Sequence, residues 1–119
     1  MSLTRHTITA ILVLGISVMP AIAHHSIDGQ FDSKHTVKLS GTVTKVDWVN
    51  PHVRVYMDVK ETGGAITPWE IDMGSPTMQM LRGWKIDSVK AGDRVSVNAY
   101  PARDGSKLGY AEKLKVTPR

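Results

Sequence analysis

Two regimes of hydrophobic patterning divide the chain. From Ile8 to Met19 the residues are almost unbrokenly apolar, whereas from about residue 36 apolar and polar positions alternate with the period of two that marks half-buried strands. Val37, Leu39 and Val43 share one phase and Val46 and Trp48 the other, so the alternation slips near Thr44-Lys45. One extra residue is a β-bulge, and a bulge with Gly41 in the same strand predicts a long first strand, Thr36 to Trp48, bent to serve two sides of a small barrel. Asn50-Pro51 predicts a turn. His52 to Val59 then alternates cleanly, with Val53, Val55, Met57 and Val59 inward and His52, Arg54, Tyr56 and Asp58 outward. Gly63-Gly64 is the hairpin turn, and the returning strand carries Trp69, Ile71 and Met73 inward with Glu70 and Asp72 outward. Cross-strand pairing then brings Arg54 and Tyr56 near Glu70 and Asp72.

Ser75-Pro76 is a helix start, a capping hydroxyl followed by proline at the first helical position, and Gly83 is its stop. On so short a helix, Met78 and Met80 read as gap-filling core residues. A fourth strand runs from Asp93 to Tyr100 with Val95, Val97 and Ala99 inward, Asp104-Gly105 turns, and a fifth strand from about Gly109 to Val116 has Leu114 and Val116 as core positions. The expected fold class is mainly β: a small five-stranded OB-like barrel with one short helix between strands 3 and 4. Such barrels bind ligands across strands 2 and 3 and in the loop after strand 1, which here contains Trp48, Asn50, Pro51 and His52.

The leading apolar run follows a short polar head, Arg5 and His6, and precedes small residues at Ala21 and Ala23, so residues 1–23 read as a secretory signal peptide cut before His24. The run is shorter than the roughly 20 residues that cross a bilayer, so no stable membrane insertion is expected after cleavage. The expected address is the periplasm. Residues 24–35 form an N-terminal segment expected to be flexible, and 36–119 the barrel. The mature part would have 96 residues, enough for one core, and a mild net charge of +3, since it keeps 14 of 15 Lys and Arg and all 11 Asp and Glu. Cysteine is absent, which excludes a lipidated N-terminal cysteine, covalent c-type haem, thiolate metal sites and thiol redox chemistry.

Cleavage before His24 places a free amine and the imidazoles of His24 and His25 at one chain end. Nitrogen ligands so arranged suit Cu(II) or Ni(II), with His35 or His52 completing the set if the N-terminal segment folds back, and copper is the candidate cofactor; the plainer reading is a disordered chain end at which two adjacent His bind copper adventitiously. The polar positions Trp48, Asn50, His52, Arg54, Tyr56 and Asp72 form the candidate ligand-binding face, with carboxylates on the neighbouring strand holding Arg54 and orienting His52. The plainer reading of those residues is a solvated sheet face with ordinary ion pairs. Trp48, Trp69 and Trp84 read first as core. Nucleic acid is set aside as a partner, because the charges are interspersed along the sequence and the expected face offers one Tyr and one Arg rather than a row of stacking aromatics in a basic groove. No nucleophile with a base, phosphate loop or metalloprotease helix appears, so an enzyme is not expected.

Ala23-His24-His25-Ser26, Phe31-Asp32, Gly41-Thr42-Val43 with Val46-Asp47-Trp48, Asn50-Pro51-His52, Met73-Gly74-Ser75-Pro76, Arg82-Gly83-Trp84 and Gly92-Asp93 together resemble a family of short exported bacterial proteins classed as a domain of unknown function. The resemblance spans essentially the whole mature chain and implies location and architecture, not activity. More weakly, Pro76-Thr77-Met78-Gln79-Met80 and Val89 to Val95 resemble segments of periplasmic OB-fold Cu(I)/Ag(I) chaperones, in which Met-x-Met lies on a strand. On a helix, residues two apart diverge by about 200° and cannot clasp one ion. The sequence thus predicts a small exported binding or accessory protein that binds copper through its N-terminal histidines. The alternative is a metal-free module holding an envelope protein, peptide or glycan on the strand 2/3 face.

Overall fold

Residues 27–118 are described by the computed structural model, so the leading apolar run and His24 and His25 lie outside the described residues. The alternating segments form five strands: β1 (Val37–Asp47), β2 (Val53–Lys60), β3 (Ile66–Gly74), β4 (Arg94–Pro101) and β5 (Leu108–Val116). They close as a barrel in the order β1-β2-β3-β5-β4, with β3 and β5 parallel and every other pair antiparallel. The mainly β, OB-like barrel expected from the pattern is the fold observed.

β1 serves two partners, as its phase slip predicts. Val37 to Thr42 pairs with β4 and Gly41 to Asp47 with β2, and the register shift lies between Val43 and Lys45. Glycine is required at the switch between partners: a Cβ on Gly41 would lie inside the van der Waals sphere of the Asp58 carbonyl oxygen, 2.9 Å from its carbon and 3.0 Å from Met57 Cε. On β2, Val53, Val55, Met57 and Val59 are buried and meet Trp69, Ile71 and Met73 of β3 in the core, with Leu39, Val43, Val95, Val97, Ala99, Ala111 and Leu114. In β5 a second slip occurs, opposite Asn98/Ala99, which leaves Glu112 outside the pairing. Gly109 and Ala111 therefore point inward before it and Leu114 after it, while Val116 is only half-buried.

One end of the barrel is closed by α2 (Pro76–Leu81), whose cap is the expected one: the Ser75 hydroxyl accepts from the Met78 amide at 3.2 Å, and proline occupies the first turn. The helix is turned opposite to the core role expected of its methionines. Pro76 and Gln79 face the barrel, and Met78, Met80 and Leu81 are exposed. The reason is polar: the Gln79 amide donates to the buried Met73 carbonyl, which no apolar side chain can satisfy.

The described part of the N-terminal segment docks on the barrel. After α1 (Ile27–Gln30), Phe31 bridges Ala102 and its ring lies 5.7 Å from that of Tyr110, while the Asp32 amide donates to the Pro101 carbonyl at 2.9 Å. Among the described residues no helix is long and apolar enough to cross a membrane.

Candidate functional site

The turn before β2 contains a cis Asn50–Pro51 peptide, and His52 follows it at the mouth of the strand. His52 Nδ1 lies 2.7 Å from Asp72 Oδ2 on β3. The other carboxylate oxygen accepts the Gly74 amide at 2.9 Å. Facing a carboxylate, Nδ1 is the donor, and in the neutral imidazole Nε2 is then the lone-pair nitrogen, on a side chain 41% exposed. Asp72 itself is only 5% exposed, although the strand pattern assigns it to the outer face. Its cover comes from β5, where Tyr110 stands directly opposite it in register. Burial, with the negative charge of Asp72 second, pushes the Tyr110 phenol above its usual range.

The cross-strand cluster read from the sequence forms, but along diagonals. Arg54 is opposite Asp72 and Tyr56 opposite Glu70, while the ion pairs join Arg54 to Glu70 and His52 to Asp72. Partial burial works to lower the Arg54 value, and Glu70, Tyr56 and Asp72 outweigh it to give a net upward shift. The Lys45 ammonium lies 5.2 Å from the Tyr56 ring and 3.1 Å from Asp47. Together these side chains make a charge-balanced face.

Not every candidate joins it. Trp48 is half-buried and lines an apolar cavity with Val46, Val53, Val55, Met73, Gln79, Trp84 and Val89, on the core side of the barrel end. Asn50 is exposed in the turn. Trp69 is core, with the Lys107 ammonium 5.3 Å from its ring. His35 is paired with Asp32 at 2.6 Å on the docked segment. Among the described residues no three His, Cys, Asp or Glu side chains are grouped to hold a metal ion. Because α2 is helical, Met78 and Met80 diverge and do not form a thioether pair.

Sequence reasoning missed a second surface. On the outer side of β1, β4 and β5, register aligns Lys38 with Asn98 and Lys113, Ser40 with Ser96 and Lys115, and Thr42 with Arg94. The four cations are exposed, Ser96, Asn98, Lys113 and Lys115 line a shallow concavity, and among the described residues no ion pair engages any of the four. Glu112, at the rim, is turned to Tyr100. Charges interspersed along the sequence are segregated in space, since alternate residues on three adjacent strands converge on one face.

Comparison with solved structures finds similar proteins of low identity. The mitochondrial single-stranded DNA binding protein Rim1 of S. cerevisiae matches with a TM-score of 0.52 at 13% identity, covering 69% of this chain and 92% of that one. The N-terminal domain of the PriB protein from Thermoanaerobacter tencongensis matches at 0.49 and 18% identity, covering 72% and 99%. The likeness to Rim1 establishes the fold. It also overturns the exclusion of nucleic acid: a single-stranded DNA binding protein is built on this barrel, and the exclusion weighed only the β2–β3 face and the linear spacing of charge, not the basic face that tertiary structure assembles. A comparison with curated proteins found no match. The profile of the family of unknown function DUF6152 matches residues 12–111, nearly the whole chain, and the chain belongs to that family.

Proposed function

We propose that the protein is an exported, periplasmic, non-catalytic OB module that binds Cu(II) through the His24 amine and imidazole, His25 and His52. The observation that supports this reading is the clamp on His52. A buried carboxylate, itself fixed by the Gly74 amide, holds Nδ1 of a partly exposed imidazole, so Nε2 of the neutral ring is the nitrogen left for a ligand. Metal-binding imidazoles are characteristically oriented in this way by a carboxylate on the second nitrogen. Nitrogen donors of amine and imidazole type favour Cu(II), which accepts tetragonal geometry and stands high in the affinity order.

The test is a competitive Cu(II) titration, read by electron paramagnetic resonance, on protein exported and processed in cells with His24 verified as residue one by mass spectrometry. One tight, nitrogen-rich tetragonal site is expected. It should be abolished by His24→Ala with His25→Ala, and weakened about 10- to 100-fold by Asp72→Asn, the usual cost of losing the carboxylate behind a ligating imidazole. Weak, multiple binding that ignores a residue added before His24 refutes the copper reading. It leaves the metal-free module, with Arg54 and Tyr56 of the β2–β3 face available to an envelope peptide or glycan.

A second reading is favoured by the basic face: single-stranded nucleic acid held by its phosphates on Lys38, Arg94, Lys113 and Lys115. Anisotropy of a labelled oligothymidylate should show affinity falling with salt, with a log–log slope near −0.7 per phosphate neutralised. Lys113→Glu with Lys115→Glu should abolish it. Binding that survives this double variant refutes the assignment.

A further inference from the structure

We infer that the outer side of α2 and the loop that follows it form a peripheral docking surface for an anionic phospholipid bilayer. The inference does not rest on the copper or nucleic-acid readings, although Arg82 lines one concavity with Trp84, Glu112 and Lys113 at the border of the basic face. α2 is inverted relative to an ordinary surface helix, which turns its apolar stripe to the core. Its polar Gln79 is 1% exposed, whereas Met78, Met80 and Leu81 are 46%, 57% and 77% exposed, and Ile86 just beyond is 70% exposed. Four of the seven large hydrophobic residues exposed among the described residues therefore fall between positions 78 and 86. Leu81 lies nearly opposite Pro76 and Gln79 around the helix and is the most exposed of its residues to carry a large apolar side chain.

The surroundings specify the partner. Arg82, Lys85 and Lys90, which flank the apolar residues in sequence, are exposed, and no ion pair engages them among the described residues; Asp87 is the one acidic residue between positions 76 and 92, and Glu112, which lines a concavity with Arg82, is balanced there by Lys113. A two-fold contact with a second copy would set this basic rim against itself. A bilayer carrying anionic headgroups complements both the rim and the tip, since interfacial elements bury apolar side chains a few ångströms deep while cations engage the phosphates. The carbonyls of Met78, Gln79 and Met80, orphans at the end of a short helix, are taken up by the amides of Arg82, Gly83 and Trp84 at 2.9–3.1 Å.

The test is vesicle flotation of the processed protein with phosphatidylcholine alone and with phosphatidylcholine carrying one part in three phosphatidylglycerol. Expected is flotation with the anionic vesicles, strongly reduced with the neutral ones. Leu81→Ser with Ile86→Ser should weaken it at least about tenfold, the effect of one buried leucine. Arg82→Gln, Lys85→Gln and Lys90→Gln should each cost about fivefold, corresponding to ~1 kcal/mol per interfacial cation. All five positions are exposed, so circular dichroism and melting should be unchanged. Lys38→Gln with Lys115→Gln, on the other basic face and outside the concavity that Arg82 shares with Lys113, should leave flotation intact. Flotation that ignores Leu81 and Ile86, or that is lost in the Lys38 and Lys115 variant instead, overturns the inference. So does a dimer in sedimentation velocity that Leu81→Ser dissolves, which would assign the tip to a second copy.

Discussion

Replacing Gly41 with alanine should destabilise the barrel more than any other single-methyl insertion on β1. The added carbon would occupy space held by the Asp58 carbonyl, 2.9 Å from its carbon, and would also press on Met57 Cε at 3.0 Å. Met57 can change rotamer, but the carbonyl belongs to a strand paired on both sides and cannot retreat without disturbing the Gly41–Val59 and Thr42–Asp58 pairs. Overpacking of this kind costs about 1–3 kcal/mol, and one or two weakened ladder hydrogen bonds add about 1 kcal/mol each. The stiffer unfolded chain returns about 0.4–1 kcal/mol. The net loss is about 2–4 kcal/mol, a large part of the stability of a domain this size and equivalent to a melting temperature lower by about 10–25 °C. Urea denaturation followed by tryptophan fluorescence, with thermal circular dichroism, reads it directly. Gly63→Ala is the control: its Cβ meets nothing within 4 Å, and only the positive φ of 99° opposes it. If Gly41→Ala were as stable as the wild type, or milder than Gly63→Ala, the claim that β1 turns between its two partners at a sterically closed glycine would be wrong.

Asp72→Ala should cost about 3 kcal/mol in urea denaturation, because it leaves the buried Gly74 amide without an acceptor and releases His52, whose Nδ1 proton should then exchange with solvent in nitrogen-15 NMR. Gln79→Leu should cost about 1–3 kcal/mol despite being more apolar, since the Met73 carbonyl loses its donor; a stabilised variant would refute the explanation of why α2 is turned polar side in. Burial and Asp72 raise the Tyr110 phenol, so its neutral form is favoured in the folded state. Its contribution to stability is present in full below the unfolded value of 10.0 and is lost as pH rises through the higher folded value. Ultraviolet titration of tyrosinate should show late ionisation from both Tyr110 and Tyr100, whose phenol burial and Glu112 also raise; Tyr110→Phe should remove one of the two late tyrosines together with the matching part of the alkaline stability loss.

Local pattern determined most of the architecture. Period-two alternation marks every strand, the phase slip at Thr44-Lys45 marks the bulge of β1, and Ser75-Pro76 marks the start of α2, because each depends on a residue's own preferences and those of near neighbours. That a carboxylate of β3 would meet His52 was legible for the same reason, but not that it would be Asp72, because the β2–β3 register slips between Val53 and Arg54. Other features were decided by neighbours far away in sequence. Asp72 is buried because a parallel β5 brings Tyr110 across from it, and the slip at Glu112 shows only against β4. Gln79 is inside because an unpaired carbonyl awaits it, which leaves Met78, Met80 and Leu81 outside. Lys38, Arg94, Lys113 and Lys115 become one basic face only when β1, β4 and β5 are laid side by side. Sequence periodicity says which side of a strand or helix differs from the other; what each side meets is a matter of long-range pairing and of the polar groups that must be satisfied when the barrel closes.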